Sequence, residues 1–128
     1  MPIPKGTIKS TEASKLDKAF DSRHTLISTN IVKRPDNRSS WWSLKDLEDF
    51  IAHAKDQAAN DLKYDLNGFR MYIGAHEDTG GQAGYTTILM VPTGEKMGSG
   101  KTGNPDIPLA DGLNKGVNGH PPEANYPQ

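Results

Sequence analysis

The sequence predicts a small α+β fold: two helices packed on a mainly antiparallel sheet of about three strands, followed by an irregular tail rich in glycine and proline. Three observations carry that prediction. A long amphipathic run begins at Leu44, directly after a serine that can cap it. Two stretches, Phe69–Ile73 and Tyr85–Val91, have the alternation and β-branched composition of strands. After Pro92 the composition changes and large apolar residues become sparse. The chain therefore divides into an extended leader at 1–9, a compact α+β domain at 10–92 and a tail at 93–128.

In the leader, Pro2 and Pro4 disfavour helix around them. Ser10 or Thr11 can then cap a helix through a side-chain oxygen. Ala13, Leu16, Ala19 and Phe20 recur at helical spacing, with Lys15, Asp17, Lys18 and Asp21 opposite, which predicts a helix over 11–23 that Leu26, Ile27 and Ile31 either extend or follow. Arg34-Pro35-Asp36-Asn37 reads as a turn, because proline fixes φ and Asp and Asn bond nearby backbone. Residues Arg38 to Trp42 suit a short strand that sends Trp41 and Trp42 to opposite faces, one buried and one half-covered.

The main helix is predicted over 44–62. Ser43 and Asp46 form a variant of the capping box, and Asp46, Glu48 and Asp49 place negative charge where the helix dipole favours it. Leu44, Leu47, Ile51, Ala54, Ala58 and Leu62 make an apolar stripe that Phe50 widens. Asn67-Gly68 reads as the turn that follows. In Phe69–Ile73, Phe69, Met71 and Ile73 share one face while Arg70 and Tyr72 share the other. A polar loop over 74–84 leads to the second strand, which Pro92 should stop, and two consecutive strands without a helix between them predict an antiparallel hairpin. The tail shows no period. A segment so poor in large apolar residues cannot build its own core, so it is either disordered or pinned across the domain, with a short helical turn at 109–114.

Several function classes are excluded or weakened. With no cysteine there are no disulfides, thiolate catalysis or Cys-ligated metals. A net charge of -1 gives no general attraction to nucleic acid or anionic lipid. The longest apolar run, Ile88–Val91, is far too short for a membrane span, and the leader lacks the apolar region of a signal peptide. Together these point to a cytoplasmic protein with neither nucleic-acid nor membrane partners. Residues 1–40 lean positive and 41–92 negative, as mixed-sign surfaces commonly do.

Catalytic motifs are weak. Gly98-Ser99-Gly100-Lys101-Thr102 looks like the end of a P-loop, but Glu95 stands where the first glycine belongs and Gly103-Asn104-Pro105 follows in place of a helix, so it reads as a linker. His24, His53, His76 and His120 lack metal-ligand spacing. His76-Glu77-Asp78 clusters in the 74–84 loop but supplies too few fixed ligands, and no cofactor is expected. No serine sits in a nucleophile elbow. The candidate binding residues are Arg70 and Tyr72 on the outer strand face, with the composition of protein-contact hot spots, together with Trp42, which can stack on a ring, and His76.

Asp36-Asn37-Arg38-Ser39-Ser40-Trp41-Trp42-Ser43-Leu44, then Gly68-Phe69-Arg70-Met71-Tyr72-Ile73-Gly74, then Gly84-Tyr85-Thr86-Thr87 and Val91-Pro92-Thr93 resemble a family of small uncharacterised proteins from Bacteroidetes, particularly flavobacteria. The resemblance covers about residues 8–93, with a weaker echo over 114–122. It implies a bacterial, intracellular setting and carries over no catalytic residue. The favoured function is a non-enzymatic protein-interaction module that pairs with a protein partner or a second copy through an unpaired sheet edge. The alternative is a small-ligand or enzymatic site near Arg70, Tyr72 and the 74–84 loop.

Overall fold

The computed structural model describes residues 2–119 and 121–128, the side chains of Val117 and Asn118 aside; Met1 of the leader and His120 lie outside the described residues. The elements in chain order are α1 (Ser10–Leu26), continued by a π-helical turn over Ile27–Val32; β1 (Ser40–Trp41); α2 (Leu44–Asp56), continued by a second π-helical turn over Gln57–Leu62; β2 (Tyr64–Ala75); β3 (Thr86–Lys96); and β4 (Val117–Asn118). Two helices, a two-stranded antiparallel sheet of β2 and β3, and a separate short pairing of β1 with β4 make the fold α+β. Among the described residues no helix is long and apolar enough to cross a membrane. The chain forms two compact units: a helix unit of Met1–Ser39, His76–Tyr85 and Asn118–Gln128, and a hairpin unit of Ser40–Ala75 and Thr86–Val117.

In the hairpin unit, α2 starts where the sequence placed it. Ser43 is extended at the N-cap and its Oγ accepts the Asp46 N–H at 2.9 Å. The buried residues of this run are Phe50, Ala54 and Ala58. Phe50 meets Phe69 of β2 with ring centroids 5.7 Å apart and planes tilted by 51°. Leu44, expected in the stripe, is 74% exposed, and Ile51 is also on the surface. At roughly 100° of rotation per residue, both lie well round the helix from Phe50, which sets the contact face. The run ends at Lys63, which takes a left-handed conformation with φ 62, rather than at Asn67-Gly68.

Asn67-Gly68 is instead inside β2. The β2–β3 pairing runs from Tyr64↔Lys96 to Ala75↔Thr86, and its register slips by one residue between Leu66 and Gly68. Asn67 is the extra residue of this bulge. Freed from the ladder, its side chain accepts from Thr93 Oγ1 at 2.8 Å and donates to the Gly103 carbonyl and Asn104 Oδ1, both at 3.0 Å.

Pro92 does not stop β3, which continues to Lys96. The hydrogen bonds explain why. The carbonyl of Pro92 accepts the Ile107 N–H, and both backbone groups of Met90 bond Leu113, so Met90 and Pro92 face away from β2. The missing N–H of Pro92 therefore removes nothing from the β2–β3 ladder. Isolated bridges Met90↔Leu113 and Thr93↔Asp106 lay the segment 105–113 along this edge of β3. The segment contains no helical turn; Ile107-Pro108-Leu109-Ala110 closes as a tight turn with Leu109 at φ 67. Asn114 ties down its end by donating to Thr87 Oγ1 and the Ile88 carbonyl.

The strand expected over 38–42 is reduced to Ser40–Trp41. Trp41 is 63% exposed and Trp42 is half-buried, so neither indole is the fully buried one that alternation predicts. A two-residue strand places too little sheet around Trp41 to cover it.

In the helix unit, α1 begins at Ser10 itself; the N-cap is Lys9, without a side-chain bond. Of the two readings of Leu26, Ile27 and Ile31, extension holds: the helix runs on through the π-helical turn to Lys33, at φ 62. Arg38, only 4% exposed along its side chain, fastens α1 to the segment that follows. It donates to Asp21 Oδ1 at 3.0 Å, to Asp17 Oδ1 at 3.1 Å and to the Asp17 carbonyl at 2.8 Å, and lies 5.4 Å from the Phe20 ring centre. The end of the chain adds a Pro122 carbonyl to the Arg38 N–H and a Tyr126 N–H to Asp17 Oδ2. In the loop 76–85, Thr79 and Gln82 exchange two backbone bonds of 2.9 Å across Gly80 and Gly81, both at positive φ, the conformation tight hairpin turns require.

Candidate functional site

Alternation along β2 puts Arg70 and Tyr72 on one face, two residues apart. Opposite them on β3 stand Val91 and Leu89. The face is completed by Asp106, which the bridge to Thr93 fixes beside β3. Its Oδ1 accepts from Arg70 and its Oδ2 accepts the Tyr72 hydroxyl at 2.6 Å. Arg70 also donates to the Asn104 carbonyl at 2.8 Å. Arg70 and Asp106 remain 40% and 39% exposed along their side chains.

Each group shifts the others' titration. The Tyr72 hydrogen bond, followed by the Arg70 hydrogen bond and charge, holds the Asp106 carboxyl below its usual range. The bond to Asp106, together with partial burial, raises the Tyr72 phenol. Asp106 likewise raises Arg70. Chemically the cluster is a closed latch: its carboxylate is engaged by a cation and a hydroxyl, and it holds the tail on the sheet.

The sign of the pH dependence follows. A depressed carboxyl contributes stability above the ordinary Asp range and loses it as pH falls through the lowered folded value; a raised phenol contributes below its ordinary value and loses it as pH rises through the raised one. The latch therefore holds between those two limits. Asp106→Asn is expected to speed exchange of the Gly94 and Ile107 amides, which bond Pro105 and Pro92, at neutral pH. In the unchanged protein, acidification should do the same only below the normal Asp range, after correction for intrinsic exchange.

The other two candidate residues stand elsewhere. Trp42 donates Nε1–H to the Asn114 carbonyl at 3.1 Å, and its ring lies so close to Gly116 that a Cβ there would sit 2.8 Å from Cε2. Its indole is committed to holding the tail of the hairpin unit. His76 belongs to the helix unit, is exposed, and bonds the Tyr85 carbonyl through its backbone. Among the described residues no group of three His, Cys, Asp or Glu could hold a metal ion.

A second feature of β2 is its free edge. Since Met90 and Pro92 point to the tail, the β2 residues bonded to β3 are Gly68, Arg70, Tyr72 and Gly74, opposite Thr93, Val91, Leu89 and Thr87. The N–H and C=O groups of Phe69, Met71, Ile73 and Ala75 point outward. Among the described residues no strand pairs with them. Met71 and Ile73, expected with Phe69 on the sheltered face of the strand, are 64% and 79% exposed, while Phe69 packs its ring against Phe50. No protein-family model, curated protein or solved structure matches this chain.

Strand alternation made Arg70 and Tyr72 legible. Asp106 was missed, since it lies in a segment without period, although it is one of only a few acids after Pro92.

Proposed function

We propose that the protein is a non-enzymatic interaction module of the cytoplasm that pairs with a second copy of itself through the free edge of β2. The observation that carries the reading is that edge: alternate backbone groups from Phe69 to Ala75 unpaired, and beside them the exposed Met71 and Ile73. Natural edge strands are usually short, bulged or charged to discourage pairing. From Gly68 to Ala75 this one carries a single charge, Arg70, and no proline.

A second copy fits because the edge is self-complementary. An antiparallel pairing about a two-fold axis at Met71 sets Phe69 opposite Ile73 of the other copy and Arg70 opposite its Tyr72. No like charges oppose, and Phe69, Met71 and Ile73 all present outward backbone groups to their counterparts. The tail latch supports the same reading: it occupies the edge of β3, which leaves β2 as the exposed edge of this sheet.

Sedimentation equilibrium across a concentration series tests it. The unchanged chain should dimerise in the micromolar range, and Ile73→Lys should weaken the dimer at least about tenfold, because the two-fold then sets a lysine against Phe69 of the other copy twice, in place of an apolar pair. A chain that stays monomeric at roughly millimolar concentration, or a dimer indifferent to Ile73→Lys, would overturn the proposal.

A further inference from the structure

The helix unit contains an open cavity of about 550 Å³ at the C-terminal end of α1. Thr25, Ser28 and Thr29 line it, at a spacing that brings all three hydroxyls to one helical face. Lys33 and Arg34 line it from the turn after the helix, and Glu123 from the end of the chain. Among the described residues neither Lys33 nor Arg34 makes an ion pair. Arg34 is nevertheless held firmly: it donates to the Val32 and Ala83 carbonyls at 3.2 and 2.8 Å and stacks 4.1 Å from the Tyr85 ring centre. The partners that fix its position are neutral.

Ser28 and the buried His24 are 3.4 Å apart, which resembles a nucleophile and its base. The geometry assigns them otherwise. His24 Nε2 is 2.8 Å from the Asp36 carbonyl, an acceptor only, so this nitrogen carries a proton and cannot take one from serine. Ser28 Oγ meanwhile accepts the Asp36 N–H at 3.0 Å. The serine's own proton is left to donate. Thr25 spends its proton on the Asp21 carbonyl at 3.0 Å and offers only an acceptor. The cavity lining thus combines donors and cations, from Ser28, Thr29, Lys33 and Arg34, with acceptors from Thr25 and Glu123.

We propose that this cavity binds a small phosphorylated metabolite bearing hydroxyl groups. The phosphoryl group lies against Lys33, Arg34, Ser28 and Thr29, and the hydroxyls donate to Glu123 and Thr25. Two cations select phosphoryl over carboxylate, because a phosphate monoester brings about −1.5 to −2 charge at neutral pH against −1. Glu123 favours the hydroxylated ester over inorganic phosphate, whose P–OH protons sit on the very group the cations hold, whereas the ester brings separate carbon-borne hydroxyls to the carboxylate.

The test is a titration followed by the Ser28, Thr29 and Lys33 amide resonances, with glycerol phosphate, inorganic phosphate and glycerate at constant ionic strength. Glycerol phosphate should saturate with a Kd of about 1 mM or tighter, ahead of inorganic phosphate. Lys33→Gly should weaken it at least about tenfold without lowering the melting temperature, because glycine relieves the positive φ while removing the charge. Glu123→Gln should erase the preference for glycerol phosphate over inorganic phosphate. The proposal is overturned by absence of saturation near roughly 10 mM, by unchanged affinity in Lys33→Gly, or by glycerate binding as tightly as glycerol phosphate.

Discussion

Gly94→Ala is expected to cost the hairpin unit about 3 kcal/mol or more. The reason is contact, not dihedral preference. A Cβ on Gly94 would stand 2.0 Å from the Asp65 carbonyl oxygen and 2.8 Å from its carbon, both backbone atoms of the paired strand. Neither side has room to yield: Asp65↔Glu95 and Leu66↔Gly94 are ladder pairs immediately before the Asn67 bulge. Displacing them also releases Asn67, which holds Gly103 and Asn104. Gly98→Ala is the matched control. Gly98 has φ 76 but nothing within 4 Å of the added carbon, so the change should cost only about 1–2 kcal/mol of left-handed strain. Urea unfolding followed by tryptophan fluorescence reads both variants, since Trp41 and Trp42 lie in this unit. A Gly94→Ala protein within about 0.5 kcal/mol of the parent would refute the argument.

In the helix unit the largest loss is expected at Arg38. Arg38→Met should cost about 2–3 kcal/mol, somewhat less than a fully buried pair, because the carboxylates it leaves behind are 19% exposed at Asp17 and 51% at Asp21 and can recover water. Methionine keeps most of the packing against Phe20, so the loss isolates the hydrogen bonds and charge. Asp21→Asn should cost less than about 1 kcal/mol, since that carboxylate is half in water and Asp17 still holds the guanidinium. Amide exchange along α1 checks the order. Equal protection in Arg38→Met and the parent would show that the cluster adds nothing to the unit.

These two sites differ in how far they could be read in advance. The start of α2 was legible because Ser43 and Asp46 cap it within one turn, and the β2–β3 hairpin because alternation is written residue by residue. Arg70 and Tyr72 were legible for the same reason. Each of these is a local code, with both partners inside one element or in consecutive ones.

The errors have local causes as well. Asn67-Gly68 has the composition of a turn, and the ladder on both sides of it turned the pair into a bulge. Pro92 has the chemistry of a strand end, and pairing with β2 through the residues on either side of it made its missing N–H harmless.

The clusters Arg38 with Asp17 and Asp21, Asp106 with Arg70 and Tyr72, and Arg34 with Ala83 join residues 17 to 49 positions apart. No periodicity links such partners, so composition and spacing settle the two helices, the cap of α2 and the hairpin. The placing of the Gly/Pro-rich segment 103–114 along β3, and with it which strand edge stays open, depends on carbonyls and carboxylates meeting donors across the fold. Those meetings exist only after the backbone has closed, because a hydrogen bond selects by position in space and leaves no mark on the order of residues.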